Sequence, residues 1–290
     1  MKPAAFSYVR ADSAEEALAA LASNGDDAKL LAGGQSLIPM MNLRLAQPEV
    51  LVDIGRARDL EGIVHDGGLR IGATTRQAAL LTSADARALA PLIADAMRYV
   101  SHPAIRSRGT VGGTLAHADP AAELPAVMVA LDATMTVRGP AGTRNVPASD
   151  FFVTYLTTAI DEGEMLSEVY VPPPVVAGDV RDVFLEVARR HGDYALVAVA
   201  TRLVLDPTGS VTHARIVLSG VGDVPVRATD AEQRLVGERL GDEAIAREAG
   251  LLAAGPLSPP ADIHASSRYR QDVAAVLVRR AIVAAGKEQR

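Results

Sequence analysis

Apolar and polar positions change period several times along the chain, and each change predicts an element. Ser13-Ala-Glu-Glu16 reads as a capping box ahead of Ala17, Leu18 and Leu21 at helical spacing. Lys29-Leu-Leu-Ala32 is a compact apolar strand ending at Gly33-Gly34, and Ser36 reads as the N-cap of a short helix carrying Leu37, Met40 and Met41. With a further strand at Glu49–Ile54, the first fifty or so residues predict a small α/β unit.

Beyond Leu60 the texture becomes mixed. Ile63-Val64 and Leu69–Gly72 flank Asp66-Gly67-Gly68 as a hairpin, and Met135–Arg138 and Arg144–Val146 bracket Gly139-Pro-Ala-Gly142 as another. Helices are expected around 77–81, over 86–99 with Pro91 near its first turn, and over 121–131. Pro172-Pro173-Pro174 and the polar stretch after it place a boundary near 172–182. Strands at 195–205 and 211–219 follow, then helices at roughly 228–240, 242–253 and 266–285, so the last part reads as an antiparallel sheet backed by helices.

Composition removes whole classes of function. The chain has 290 residues, 49% of them apolar, and a formal net charge of −6, which lacks the basic surface that nucleic-acid binding requires. It contains no cysteine, so disulfides, zinc–thiolate sites and thiolate-held iron–sulfur clusters must lie on another chain. No apolar h-region or transmembrane run occurs, and a cytoplasmic location is the expectation. The six histidines never fall at i,i+4, and there is no nucleophile elbow, Walker loop or GxGxxG fingerprint.

Two segments remain, Ala32-Gly33-Gly34-Gln35-Ser36 and Thr110-Val111-Gly112-Gly113-Thr114, each pairing glycines with hydroxyls. Missing side chains let a ligand approach the backbone, and converging N–H groups with Ser/Thr hydroxyls can hold a pyrophosphate without a lysine clamp. The plainer alternative is that each pair is only a tight turn; two such segments in one half of the chain favour the anion site.

Lys29–Arg44, Ile105–Gly113, Asp119–Pro125, Gly192–Ala195 and Ser267–Arg270, in that order and spacing, resemble the FAD-binding medium subunit of molybdenum hydroxylases, as in aerobic carbon monoxide dehydrogenase and xanthine dehydrogenase. The resemblance covers nearly the whole chain. It implies an α+β fold: a two-subdomain FAD-binding unit of the vanillyl-alcohol oxidase type over 1–175, divided at 55/56, then a C-terminal antiparallel sheet with helices over 176–290. It also implies FAD held by Lys29, Leu30, Leu31, Ala32, Gly33, Gly34, Gln35, Ser36 and Leu37 and by Gly109, Thr110, Gly112, Gly113 and Thr114, with Val100 and Ser101 nearby. Glu123 matches an acidic cofactor-contacting position, Met165 and Leu166 would line the pocket, and Tyr194 matches an aromatic beside the flavin or is a core aromatic at a strand start.

Thr114 stands where many relatives have Asn, and Gln35 where they vary. Leu185 replaces the lysine of the xanthine dehydrogenase type, which leans the reading towards the carbon monoxide dehydrogenase-like branch. His102 and His117 are expected to hydrogen-bond loops, and the arginines of Ser267–Arg270 to bind a neighbouring carboxylate or a partner's surface. The implied function is electron transfer: a large molybdenum-cofactor subunit oxidises substrate, a small [2Fe–2S] subunit passes electrons on, and this chain's FAD hands them to a final acceptor within a doubled heterotrimer, with the complex able to sit at the membrane's inner face. The alternative is a free-standing FAD-dependent oxidase or reductase.

Overall fold

The computed structural model describes residues 1–287, whose elements fall into three main sheets with their helices. The first is parallel: β1 (Ser7–Arg10), α1 (Ala14–Asn24), β2 (Ala28–Leu31), α2 (Leu37–Asn42) and β3 (Val50–Asp53), in strand order β1-β3-β2. Parallel neighbours need a crossover: the chain passes from β2 to its neighbour β3 through α2, while α1 carries it from one edge strand, β1, to the other, β2. Ser13 Oγ accepts the Glu16 N–H at 3.2 Å, but the Glu16 carboxylate reaches past Ser13 to the Asp12 N–H at 2.7 Å. Ser36 precedes α2 without capping it: its φ of −102° and ψ of −49° are already helical, whereas a capping side chain needs extended backbone. Ala17, Leu21, Val52 and Ile54 form the core of this unit, joined by Met165 from far along the chain.

The second unit runs through β4 (Ile63–His65), β5 (Leu69–Gly72), α3 (Gln77–Thr82), α4 (Ala84–Leu89), α5 (Pro91–Ala96), α6 (Pro103–Arg106), α7 (Val111–His117) and α8 (Glu123–Ala130). It continues with β6 (Thr134–Gly139), β7 (Gly142–Pro147), α9 (Ala148–Phe151), the small pair β8 (Phe152–Thr154) and β9 (Thr157–Thr158), and β10 (Met165–Val171). Its sheet has the order β4-β5-β10-β6-β7, antiparallel throughout. Both expected hairpins are present. The single helix expected over 86–99 is two: Ala90, at φ −145° and ψ 65°, breaks it, and Pro91 opens α5, because the residue before a proline is driven out of the helical region. The second glycine segment is a helix start, with Thr110 as the N-cap of α7.

The third sheet is β11 (Asp179–Val187), β12 (Val197–Leu205), β13 (Val211–Ser219) and β14 (Val226–Arg227), in sequence order and antiparallel, covered by α10 (Thr229–Leu235), α11 (Glu243–Ala254) and α12 (Ser267–Ala285). β12 is buried along its whole length: Ala198 and Ala200 join the core of the second unit, while Val197, Val199, Leu203 and Leu205 face the helical layer. Asp182 and Arg202, opposite each other on β11 and β12, form a buried two-pronged ion pair at 2.8 and 2.7 Å. Asp182 also accepts the Leu92 N–H at 3.2 Å, tying the sheet to the start of α5. The expected helix to residue 240 stops at Leu235, shortly before Gly237 with its φ of +87°. No helix among the described residues is long and apolar enough to cross a membrane.

Candidate functional site

The two glycine segments, far apart in sequence, lie against each other. A Cβ on Gly33 would come within 2.5 Å of the Arg108 carbonyl oxygen and 2.8 Å of the Gly109 α-carbon, so only glycine allows the contact. A Cβ on Gly113 would sit 3.6 Å from that of Ala32.

In the first segment Gly34 has a φ of +72°, a left-handed turn that glycine adopts freely. Gln35 Nε2 folds back on the Gly33 carbonyl at 3.0 Å. The backbone N–H groups of Gly33, Gly34, Gln35 and Ser36 donate to no acceptor among the described residues. Adjacent unspent N–H dipoles at a turn make an anion-binding concavity. Leu30, Leu31 and Leu37 flank this turn half-buried, while Lys29 is exposed on β2.

The second segment is braced. Gln77 N–H donates to the Gly109 carbonyl at 2.9 Å, Val111 N–H to Thr75 at 3.0 Å, and Gly112 N–H to Ala73 at 2.8 Å. Thr110 Oγ1 accepts the Gly113 N–H at 3.0 Å, and Gln77 Nε2 donates to Thr114 Oγ1 at 2.8 Å.

A third wall comes from the 190s. Gly192, at φ +85°, packs on Ser101 and His102, where a Cβ would lie 2.8 Å from the His102 ring. Ser101 is held at φ +45°, while the Arg106 guanidinium donates to the Val100 and Ser101 carbonyls at 2.7 and 2.8 Å. Neither His102 nor His117 makes a side-chain hydrogen bond among the described residues, contrary to expectation; His102 serves as a surface for Gly192 instead. Tyr194 is 55% exposed and so is no core aromatic. Desolvation still pushes the pKa of its hydroxyl up to about 12, the Asp119 carboxylate adding to the rise, the Ser36 hydroxyl opposing it, and Glu123 and Tyr155 contributing less. Ser36, Asp119 and Tyr194 thus bring residues of all three units within electrostatic reach of one another.

Glu123 opens α8 and is 4% exposed. Burial pushes its pKa up to about 8, the Glu186 carboxylate adding to the rise, its own backbone N–H opposing it, and Asp119 contributing less. Glu186 is pushed up to about 7 by burial, and its Oε2 is sealed without a partner. At neutral pH Glu123 is therefore largely uncharged and can donate a hydrogen bond as well as accept one. Met165 and Leu166 bury their side chains in two different cores, leaving only their backbone to face a ligand.

Three supports carry no sequence signal of the usual kind: Gln77, a lone amide in a helix start; Arg106, one of several arginines in a polar stretch; and Glu186, inside a strand. Arg270 does bind a neighbouring carboxylate, Asp262, at 2.7 Å, and it also donates to the Leu196 and Gly220 carbonyls, steadying the strand that follows Tyr194. Arg268 pairs with Asp272 at the surface.

The geometry fits a nucleotide cofactor with a diphosphate, and comparison with known proteins points the same way. Residues 4–174 match the family described as the FAD binding domain in molybdopterin dehydrogenase, and residues 182–285 the CO dehydrogenase flavoprotein C-terminal domain. The chain is 43% identical over 287 residues to 6-hydroxypseudooxynicotine dehydrogenase complex subunit alpha of Paenarthrobacter nicotinovorans, covering 98% of this chain and 96% of that one. It is 38% identical to the carbon monoxide dehydrogenase medium chain of Hydrogenophaga pseudoflava, covering 98% of each. Among solved structures, carbon monoxide dehydrogenase from that organism matches with a TM-score of 0.94 at 38% identity over 98% of both chains. Quinoline 2-oxidoreductase from Pseudomonas putida 86 matches with a TM-score of 0.93 at 38% identity, covering 99% of this chain and 98% of the other.

Proposed function

This chain belongs to the family of FAD-binding medium subunits of molybdenum hydroxylases, and from that premise we propose that it relays electrons from [2Fe–2S] clusters on a small partner subunit to a final acceptor, a large molybdenum-cofactor subunit having oxidised the substrate. It is an oxidoreductase flavoprotein subunit of a multi-subunit complex, and bound FAD supplies the redox chemistry. The full-length match to medium chains leaves the free-standing flavoenzyme without support.

The contact of Gly33 with Arg108 and Gly109 carries the assignment of the diphosphate, because it brings the unspent N–H groups of Gly33–Ser36 against the loop that leads into Thr110–Thr114. Those N–H groups would hold the anion as neutral dipoles, and Thr110 keeps the neighbouring helix start rigid. Tyr194, Ser101 and the Val100 backbone would bound the flavin end, with Glu123 offering a buried, proton-bearing carboxyl. Lys29, Leu30, Leu31, Leu37, Met165 and Leu166 would frame the pocket without supplying its chemistry. This reading divides the chain near residues 172–182.

The absence of cysteine from the chain supports placing the clusters on a partner. Relatives at 37 to 43% identity carry names referring to 6-hydroxypseudooxynicotine, glyceraldehyde and carbon monoxide, which supports substrate selection outside this chain. A doubled heterotrimer on the cytoplasmic side completes the proposal, and nothing in it requires contact with a membrane's inner face. Co-expression with the neighbouring genes, followed by size exclusion and metal analysis, is expected to give one complex containing FAD, iron and molybdenum. Substrate-driven flavin reduction by the isolated chain would overturn the relay.

A further inference from the structure

Gln77 is the side chain around the glycine segments whose chemistry is least accounted for. It is only 4% exposed, and its Nε2 donates to Thr114 Oγ1 at 2.8 Å while its Oε1 is sealed without a hydrogen-bond partner. That oxygen lies over the α-carbon of Gly109, where a Cβ would come within 2.5 Å of it. A buried amide with one end unpaired is costly, and an apolar side chain of similar length would fill the space without that cost. The weakly positive α-carbon hydrogens of Gly109 attract an oxygen and would disfavour an NH₂ group, so the donor end of the amide belongs on Thr114.

The polarity of this bond has a consequence for Thr114. A hydroxyl carries one proton, and Thr114 Oγ1 here accepts a hydrogen bond; no described residue accepts the Thr114 proton in return. The hydroxyl belongs to the residue after Gly113, and a Cβ added to that glycine would come 2.6 Å from Thr110 Oγ1 and 3.6 Å from the Cβ of Ala32, at the edge of the first segment. We propose that Gln77 is a positioning residue for the cofactor's diphosphate: by donating to Thr114 Oγ1, it leaves the Thr114 proton to be given to a phosphate oxygen. The proposal rests on the assignment of the diphosphate to the two glycine segments.

The test is a double-variant cycle on the full chain, with FAD affinity followed by flavin fluorescence and the bound diphosphate by phosphorus NMR. Thr114→Val is expected to weaken FAD binding about tenfold or more, as loss of a hydrogen bond to a charged group does. Gln77→Met should weaken it by several-fold, shift the phosphorus resonances, and add little to Thr114→Val when the two are combined. Gln77→Glu keeps the shape but turns the bond round, so the carboxylate takes the Thr114 proton. About a hundredfold loss is expected at neutral pH, with recovery as the pH falls and the introduced carboxyl is protonated. This variant also serves if the methionine variant fails to fold. Should Thr114→Val weaken binding while the Gln77 variants leave affinity and phosphorus resonances unchanged, or should the losses simply add, Gln77 has no positioning role. If Thr114→Val itself changes nothing, the assignment of the diphosphate fails, and the proposal with it.

Discussion

Ala32–Ser36 and Thr110–Thr114 share paired glycines and hydroxyls and have opposite constructions. In the first, the glycines make a left-handed turn that leaves consecutive N–H groups unspent. In the second, they open a helix whose early N–H groups go to Ala73, Thr75 and the Thr110 side chain. Gly112 is there for space: a Cβ on it would meet Ala73 Cβ at 2.5 Å and the Ala73 α-carbon and oxygen at 2.8 Å. One segment leaves its donors unspent, and the other spends them on its own surroundings while its approach packs against the first. Glycine alone therefore says little; whether the neighbouring N–H groups are already spent says much more.

Alanine at Gly112 tests that division most severely. With backbone on the far side there is nowhere for a methyl group to go, so Gly112→Ala should cost about 3 kcal/mol of stability, at the upper end of overpacking effects, read from chemical denaturation without FAD. An unchanged midpoint would mean that the second segment is not a packing device. Gly34→Asp attacks the first segment, adding a negative charge to the turn proposed to hold the diphosphate. FAD affinity should fall about a hundredfold, or about 2.7 kcal/mol, while the FAD-free chain loses less stability than Gly112→Ala does, since aspartate tolerates a left-handed turn and its Cβ would meet only the side chains of Leu31 and Ile38, at 3.1 and 3.2 Å, not backbone. Equal losses in stability and affinity would erase the distinction.

A smaller effect concerns the carboxyls beside the second segment. Glu123 and Glu186 have folded pKa values raised to about 8 and about 7, so the folded chain holds more protons than the unfolded one above the ordinary carboxyl range. Stability is then greatest below the unfolded pKa and falls as the pH rises through the folded values, from about pH 5 to about pH 8. The melting temperature of the FAD-free chain should decline over that window. Glu123→Gln should flatten the decline, leaving the part due to Glu186, and an equally steep decline in the variant would show that Glu123 titrates normally.

Short-range features were legible in the sequence. The Ser13 cap and both glycine-turn hairpins depend on neighbours within a few residues, as do the last two helices, where apolar spacing is regular. β1 was missed because its residues are exposed and its partner, β3, lies about forty positions on. β11 was missed because Asp179-Val-Arg-Asp182 looks like a polar connector, and only the pairing of Asp182 with Arg202 makes that polarity compatible with burial. The same holds for the site. Both glycine segments stood out, but their difference depends on Ala73, Thr75 and Gln77, which supply partners that no local pattern announces. Tyr194 carries no local sign of its setting, because Ser36, Asp119 and Glu123, which shift its pKa, come from other units of the chain.

β12 makes the molecule mechanically indivisible. Each of its faces is a wall of a different core, so neither the flavin-binding part nor the helical part can melt without baring an oily surface belonging to the other. The two parts should share one unfolding transition despite the proline-rich connector between them. A protease that cut this connector would sever a covalent thread and leave the halves clasped. Removing the C-terminal part would strip the inner wall from the flavin-binding part.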